Sequence, residues 1–145
     1  MLINQRQGSR SARVKIPLLF SSIPAGFPSP AEDYIEAMID LNELLITNPV
    51  ATYLMRVQGL SMIEGGIFPQ DIIVVDRSID AQNGDVVVAV VDGEYNVKRL
   101  YHQEGQIMLL SDNPDYPPIV VPELAELTIW GVVTNVIHQV KRCLP

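Results

Sequence analysis

The sequence predicts a mainly β protein: a compact antiparallel β body with a flexible N-terminal arm and one short helix. Three observations lead there. From residue 52 onward, short runs rich in valine, isoleucine and aromatic residues follow one another, most of them bounded by turn residues. Prolines punctuate the first thirty residues, where they oppose regular structure. Apolar residues at helical spacing stand out in a single stretch, just after those prolines.

At 145 residues the chain is long enough to bury a real core, and it reads as an arm over residues 1–30 followed by one domain over residues 31–145. Apolar residues make up 48% and charged residues 19%, a globular rather than a disordered composition. Cys143 is the only cysteine, which excludes an internal disulfide and fits a reducing cytoplasm. No apolar run approaches the length of a membrane span. Arg6, Arg10, Arg13 and Lys15 ahead of IPLLF mimic a secretory signal, but the apolar stretch is too short and Pro17 interrupts it, so export is rejected. The net charge of −7 argues against nucleic acid as a direct partner. Four of the 10 basic residues precede Ala25 and all 17 acidic ones follow it, so a chain starting at Gly26 carries 17 acids against 6 bases, a formal −11.

Within the arm, residues 23–30 read IPAGFPSP. Pro24, Pro28 and Pro30 push their preceding residues into extended conformations and withhold backbone donors, leaving Ala25–Gly26 as a sterically bare peptide bond. Such a strap is either a linker or something a protease grips. In SPAEDYIEAMIDLNELLI, Ser29 with Glu32 forms a capping box and Pro30 takes the first helical position. Tyr34, Ile35, Met38 and Ile39 follow at helical spacing, which predicts a short amphipathic helix closed by Asn48–Pro49. TYLMRVQG, DIIVVDR, GDVVVAVV, EYNVKRLY, QIMLLS and LTIWGVVTNVIHQV then read as strands. Asp92–Gly93 is a two-residue hairpin turn between adjacent antiparallel strands. There is no internal repeat and no low-complexity tract.

Few residues are suited to chemistry. His102 and His138 lack any cysteine or carboxylate partner at metal-ligand spacing, so both read as strand-face residues and no metal site is expected. No phosphate-cradling motif occurs, Gly65–Gly66 is a turn, and the acidic residues are scattered. Two positions remain. Ser61 in VQGLSMIEGG follows a strand ending at Gly59; with Glu64 it makes a capping box, the reading these residues alone favour. The sharper reading sets the serine beside free backbone N–H groups that bind an oxyanion. Lys98 in EYNVKRL shares a strand face with Asn96 and Leu100, opposite Tyr95, Val97 and Arg99. A solvated strand lysine does nothing chemical, but one buried beside a serine loses its proton more readily and accepts the hydroxyl's. Without a histidine triad, a Ser–Lys pair is the best nucleophile and base on offer.

Taken together, AGFPSPAEDYIEAMIDLNELLI, ATYLMRVQGLSMIEGG, QDIIVVDRSIDAQNGDVVVAVVDGEYNVKRL and IWGVV resemble the UmuD family, self-cleaving accessory subunits of a bacterial error-prone translesion DNA polymerase, polymerase V. The C-terminal part also resembles the cleavage domains of LexA-type repressors. This resemblance implies a LexA/UmuD-like peptidase fold, with Ser61 in GLSM as nucleophile, Lys98 in VKRL as general base and Ala25–Gly26 as the bond that is cut. The strap is then the enzyme's own substrate, and the backbone N–H groups of Leu60, Ser61 and Met62 are the candidate oxyanion donors. Two positions depart from the family: Leu60 stands where UmuD proteins tend to carry aspartate, and Pro69–Gln70–Asp71 replaces a more usual glycine-containing turn. The 24 residues ahead of Ala25 have no room for a helix-turn-helix domain, which opposes a LexA-like repressor role.

The resemblance implies partners as well. A RecA filament on single-stranded DNA, formed in the SOS response to DNA damage, stimulates one cut per molecule. The chain trimmed to Gly26 then joins the UmuC polymerase subunit for translesion synthesis. Family members are homodimers, and IWGVVTNVIHQV is a candidate contributor to the interface. No cofactor and no membrane is implied. The rival reading is a non-catalytic module that docks on the polymerase or the filament, its arm a mere linker. A leader peptidase is disfavoured by the lack of a membrane anchor.

Overall fold

The computed structural model describes residues 13–19 and 35–141. The IPAGFPSP strap with Ala25–Gly26, the Ser29–Glu32 box, Tyr34 and Cys143 lie outside the described residues. The chain divides into two compact units, with the boundary between Leu45 and Ile46.

In the first unit, strands β1 (Ile16–Leu19) and β2 (Ile35–Ile39) pair antiparallel, Ile16 opposite Ile39 and Leu18 opposite Ala37. A five-residue helix α1 (Leu41–Leu45) follows. The amphipathic helix expected from residue 30 therefore needs correcting, because Ile35, Met38 and Ile39 belong to a strand and, among the described residues of that stretch, only LNELL is helical. Their spacing fits a helix, but short helices are marginal in water, and IPLL supplies a strand partner too distant in sequence for local periodicity to reveal. The helix starts where Asp40 caps it: Asp40 Oδ1 accepts the Asn42 N–H at 2.9 Å and its carbonyl accepts the Leu44 N–H at 3.0 Å.

The second unit is a seven-stranded antiparallel sheet. Its strands are β3 (Thr52–Arg56), β4 (Ile72–Asp76), β5 (Val86–Val91), β6 (Glu94–Gln103), β7 (Gln106–Leu110), β8 (Ile119–Val121) and β9 (Leu127–Ile137), in the order β3-β4-β9-β5-β6-β7-β8. Six of these are the segments expected from sequence. The seventh, β8, is bracketed by Pro118 and Pro122, which suits a sheet edge and hides a strand from a propensity reading. Asp92 (φ 47°) and Gly93 (φ 82°) both take positive φ in the β5–β6 hairpin, the backbone twist that lets two residues join antiparallel strands.

Strand β5 is buried on both faces, which is why VVVAVV reads as an uninterrupted apolar run. Val88 packs with Val57, Met62, Ile67, Ile73 and Val75, whereas Val87 and Ala89 pack with Leu100, Leu109 and Val132. Strand β9 lies between β4 and β5, pairing with β5 through residues 127–132 and with β4 through residues 132–137. Val88 faces Gly131 and Ala89 faces Ile129, leaving Trp130 as an extra, bulged residue. Gly131 is needed there, because a Cβ would stand 2.6 Å from Val75 Cγ1.

The β3–β4 connection, residues 57–71, is drawn closed at its neck: the Val57 N–H donates to the Asp71 carbonyl and the Gln70 N–H to the Val57 carbonyl, both at 2.9 Å. Gln70 sits at φ 73°, the left-handed conformation that a glycine adopts without strain, and this is the structural effect of the Pro69–Gln70–Asp71 departure. Asp71 is buried; its Oδ2 accepts the Phe68 N–H at 2.8 Å and its Oδ1 lies 2.5 Å from His138 Nδ1. Burial raises the Asp71 carboxyl pKa, but the Phe68 N–H and His138 outweigh it and hold the group below its ordinary 3.8. The stability this carboxylate contributes is present above its unfolded-state value and is lost as pH falls through the lower folded-state value. Asp71→Ala is therefore expected to cost about 1–3 kcal/mol at neutral pH in urea unfolding. The gap to the wild type should narrow only once pH drops below 3.8.

Candidate functional site

The closed 57–71 loop carries Ser61. Strand β3 ends at Arg56 rather than at Gly59 as the sequence suggested; Gly59, at φ 82°, lies within the loop, and a turn of 3-10 helix (Ile63–Gly65) follows, ended by Gly66 at φ 82°. Met62 is buried at 2% exposure and anchors this turn in the core. The Ser61–Glu64 capping box favoured by the residues alone is not formed. Met62 holds the cap position without a side-chain bond, and the Glu64 N–H donates to the Asp112 carbonyl at 2.9 Å. The Ser61 hydroxyl is turned instead to Lys98, whose Nζ lies 2.9 Å from its Oγ.

Lys98 sits in β6 opposite Val87 and is only 8% exposed. Desolvation lowers the pKa of its amine from the usual 10.5, and no carboxylate among the described residues pairs with it to offset that effect. The Tyr116 ring stands over the amine, 5.9 Å from Nζ to the ring centroid. Ser61 and Lys98 share a cleft of about 280 Å³ whose walls include Gln58, Gly59, Tyr95, Asn96 and Val97. Among the described residues, none accepts a hydrogen bond from the backbone N–H groups of Leu60, Ser61 or Met62. The arrangement therefore combines a hydroxyl, an amine whose pKa burial lowers and, at Ser61 and Met62, backbone donors with no acceptor among the described residues, all lining one cleft.

The segment between β7 and β8 supports this site, and the sequence reading passed over it. Asn113 Nδ2 donates to the Leu60 carbonyl at 2.9 Å, and the Asp112 N–H points at Met62 Sδ at 3.4 Å. Arg99, next to Lys98 on β6, grips the Asp112 carboxylate with Nε at 3.1 Å and Nη2 at 2.5 Å. Gly65 leaves the space that the Asp112 carboxylate occupies. These partners are separated by up to 53 residues, and SDNPD signals only a turn. Leu60, the family departure, is half-exposed and enters the site through its carbonyl rather than its side chain. His102 lies on β6, as expected of a strand residue, and its N–H donates to Asn83 Oδ1 at 3.0 Å. His138 falls beyond the end of β9 and pairs with Asp71 rather than standing on a strand face; the pair spans 67 residues, beyond any local signal.

The lowered pKa of Lys98 also bears on stability. Between its folded-state value and 10.5, the unfolded chain binds the proton that the folded chain releases. The cost of burying the ammonium is thus fully present below the folded-state value and fades as pH rises towards 10.5. Lys98→Met should accordingly raise the Tm by a few degrees at neutral pH. Calorimetry at increasing pH should show that advantage shrinking.

Residues 17–134 match the family model described as Peptidase S24-like. Protein SamA of Salmonella typhimurium is 47% identical over 125 residues, covering 86% of each chain. Protein ImpA of Escherichia coli is 43% identical over 126 residues, 86% of this chain and 85% of its own. Protein MucA of Escherichia coli is 39% identical over 146 residues, 99% of each chain. No helix among the described residues is long and apolar enough to cross a membrane. With a mainly antiparallel β fold and a family match that runs from β1 into β9, the chain belongs to the S24 peptidase family, the group of the UmuD- and LexA-type peptidases.

Proposed function

We propose that this protein is a self-cleaving serine endopeptidase of the SOS response that cuts its own Ala25–Gly26 bond, with Ser61 as nucleophile and Lys98 as general base. One observation carries the reading: a serine hydroxyl 2.9 Å from a lysine amine that burial inclines towards its neutral form. In the reaction, the Lys98 amine takes the Ser61 proton while Oγ bonds to the Ala25 carbonyl carbon and the carbonyl π pair moves onto oxygen. Backbone N–H groups among Leu60, Ser61 and Met62 receive that negative oxygen. The tetrahedral adduct collapses, the C–N bond breaks, and the Lys98 ammonium returns the proton to the departing Gly26 amine. Water then hydrolyses the Ala25 ester, with Lys98 again as base.

The strap suits this role. Ala25 and Gly26 let the backbone approach Oγ closely, and the prolines keep the segment extended for strand-like docking. Because the substrate is tethered, each molecule turns over once. A RecA filament on single-stranded DNA accelerates the cut by favouring the docked arm, and the product starting at Gly26 acts as a homodimer with a UmuC-type polymerase subunit in translesion synthesis.

The rate of cleavage should follow the neutral fraction of Lys98. It is expected to rise about tenfold per pH unit and to level off before pH 10.5, because the amine's pKa is lowered. A flat profile from neutral to alkaline pH removes Lys98 as the base. Ser61→Ala should fold normally yet lose about 10³-fold or more of the rate, and Lys98→Arg should lose as much because its guanidinium stays charged. Mass spectrometry after incubation with RecA-coated single-stranded DNA should show a new N-terminus at Gly26. If the wild type stays whole there while binding the filament, the chain is a docking module and the peptidase reading is wrong.

A further inference from the structure

We propose that Asn113 is a positioning residue for self-cleavage, acting through the peptide that joins Leu60 to Ser61; the proposal rests on the Ser61–Lys98 reading above. Asn113 is 7% exposed, and three contacts fix its orientation. Its Nδ2 donates to the Leu60 carbonyl at 2.9 Å, its Oδ1 accepts the Asp115 N–H at 3.0 Å, and its carbonyl accepts the Tyr116 N–H at 3.1 Å. The Leu60–Ser61 peptide is trans and planar, so its C=O and N–H point in opposite directions. Holding the carbonyl towards Asn113 therefore directs the Ser61 N–H away from the β7–β8 segment.

That N–H belongs to a residue lining the cleft, and no described residue accepts a bond from it. It is thus the backbone donor whose aim is fixed before any substrate arrives. When Ser61 Oγ adds to a carbonyl carbon, the π pair moves to oxygen and the Oγ proton passes to Lys98 Nζ; the aimed N–H meets the new oxyanion. Without Asn113, the Leu60 carbonyl keeps only the Ile63 N–H at 3.3 Å, a longer bond from within the same turn. Asp112 secures the far side of that turn through the Glu64 N–H, and Arg99 secures Asp112. Lys98 governs the hydroxyl proton and Asn113 the backbone donor, so the two act on different atoms of one serine.

The separation of these roles is testable in the full-length chain. Spontaneous cleavage is followed from neutral to alkaline pH for the wild type, Asn113→Ala and Asn113→Asp, with each rate divided by the folded fraction from circular dichroism. Asn113→Asp keeps an acceptor for the Asp115 N–H but has no donor for the Leu60 carbonyl, so it should fall together with Asn113→Ala. Both plateau rates are expected to drop about 10²-fold, the loss typical of a missing oxyanion donor, with the pH midpoint of the rise unmoved. A wild-type plateau in Asn113→Asp overturns the proposal. So does a shifted midpoint with a normal plateau, which marks a structural disturbance of Lys98. Failure of the wild type to cleave at alkaline pH, or cleavage of Ser61→Ala, sinks the dyad itself and is read from the same gels.

Discussion

The contact between the Lys98 amine and the Ser61 hydroxyl sets terms that the rest of the second unit has to meet. An amine removed from water and left without a carboxylate opposes folding, so the strand that carries it must be held by other means. Strand β6 pairs with β5 over residues 94–99, Lys98 included, and with β7 over residues 99–103, and its neighbour β5 is buried on both faces. The position is therefore rigid enough to keep an unfavourable group in place. Function is stored as a local cost that the two apolar clusters offset.

Ser61 is held by a different device. Its loop is closed at the neck by Val57, Gln70 and Asp71, and clamped from the side by Asp112 and Asn113. Ser61 and Lys98 stand on segments that are distant in the chain, and a few well-placed polar bonds set the distance between them. Buried polar groups arranged this way fix one geometry, because any alternative leaves a donor or acceptor unsatisfied. Among the described residues no buried side-chain nitrogen or oxygen lacks a partner.

Much of this was legible in the sequence, for identifiable reasons. Valine-rich runs and the Asp92–Gly93 turn gave six of the strands in the larger sheet, because alternation and turn chemistry are local properties. Ser61 and Lys98 stood out through motif resemblance more than through their own chemistry, since the residues alone favoured a helix cap at Ser61. What stayed hidden was relational. Residues 35–39 carry a helical pattern that a distant partner, Ile16–Leu19, overrides. Asn113 and the Asp71–His138 pair act across 53 and 67 residues, and no spacing rule reaches so far.

Strand β1 ends at Leu19 and strand β2 begins at Ile35, so the Ala25–Gly26 bond lies on the chain that links them. Among the described residues, each is the other's sole strand partner, in a two-stranded sheet of four register pairs. While the chain is whole, the link keeps the halves at an effective concentration on the order of millimolar. Under the proposed cut at Ala25–Gly26, the same pairing becomes an encounter between two molecules, and dilution then works against it. On that proposal, one broken bond acts like the release of a clasp: it unfastens a strand whose Ile35 and Met38 are already half-exposed.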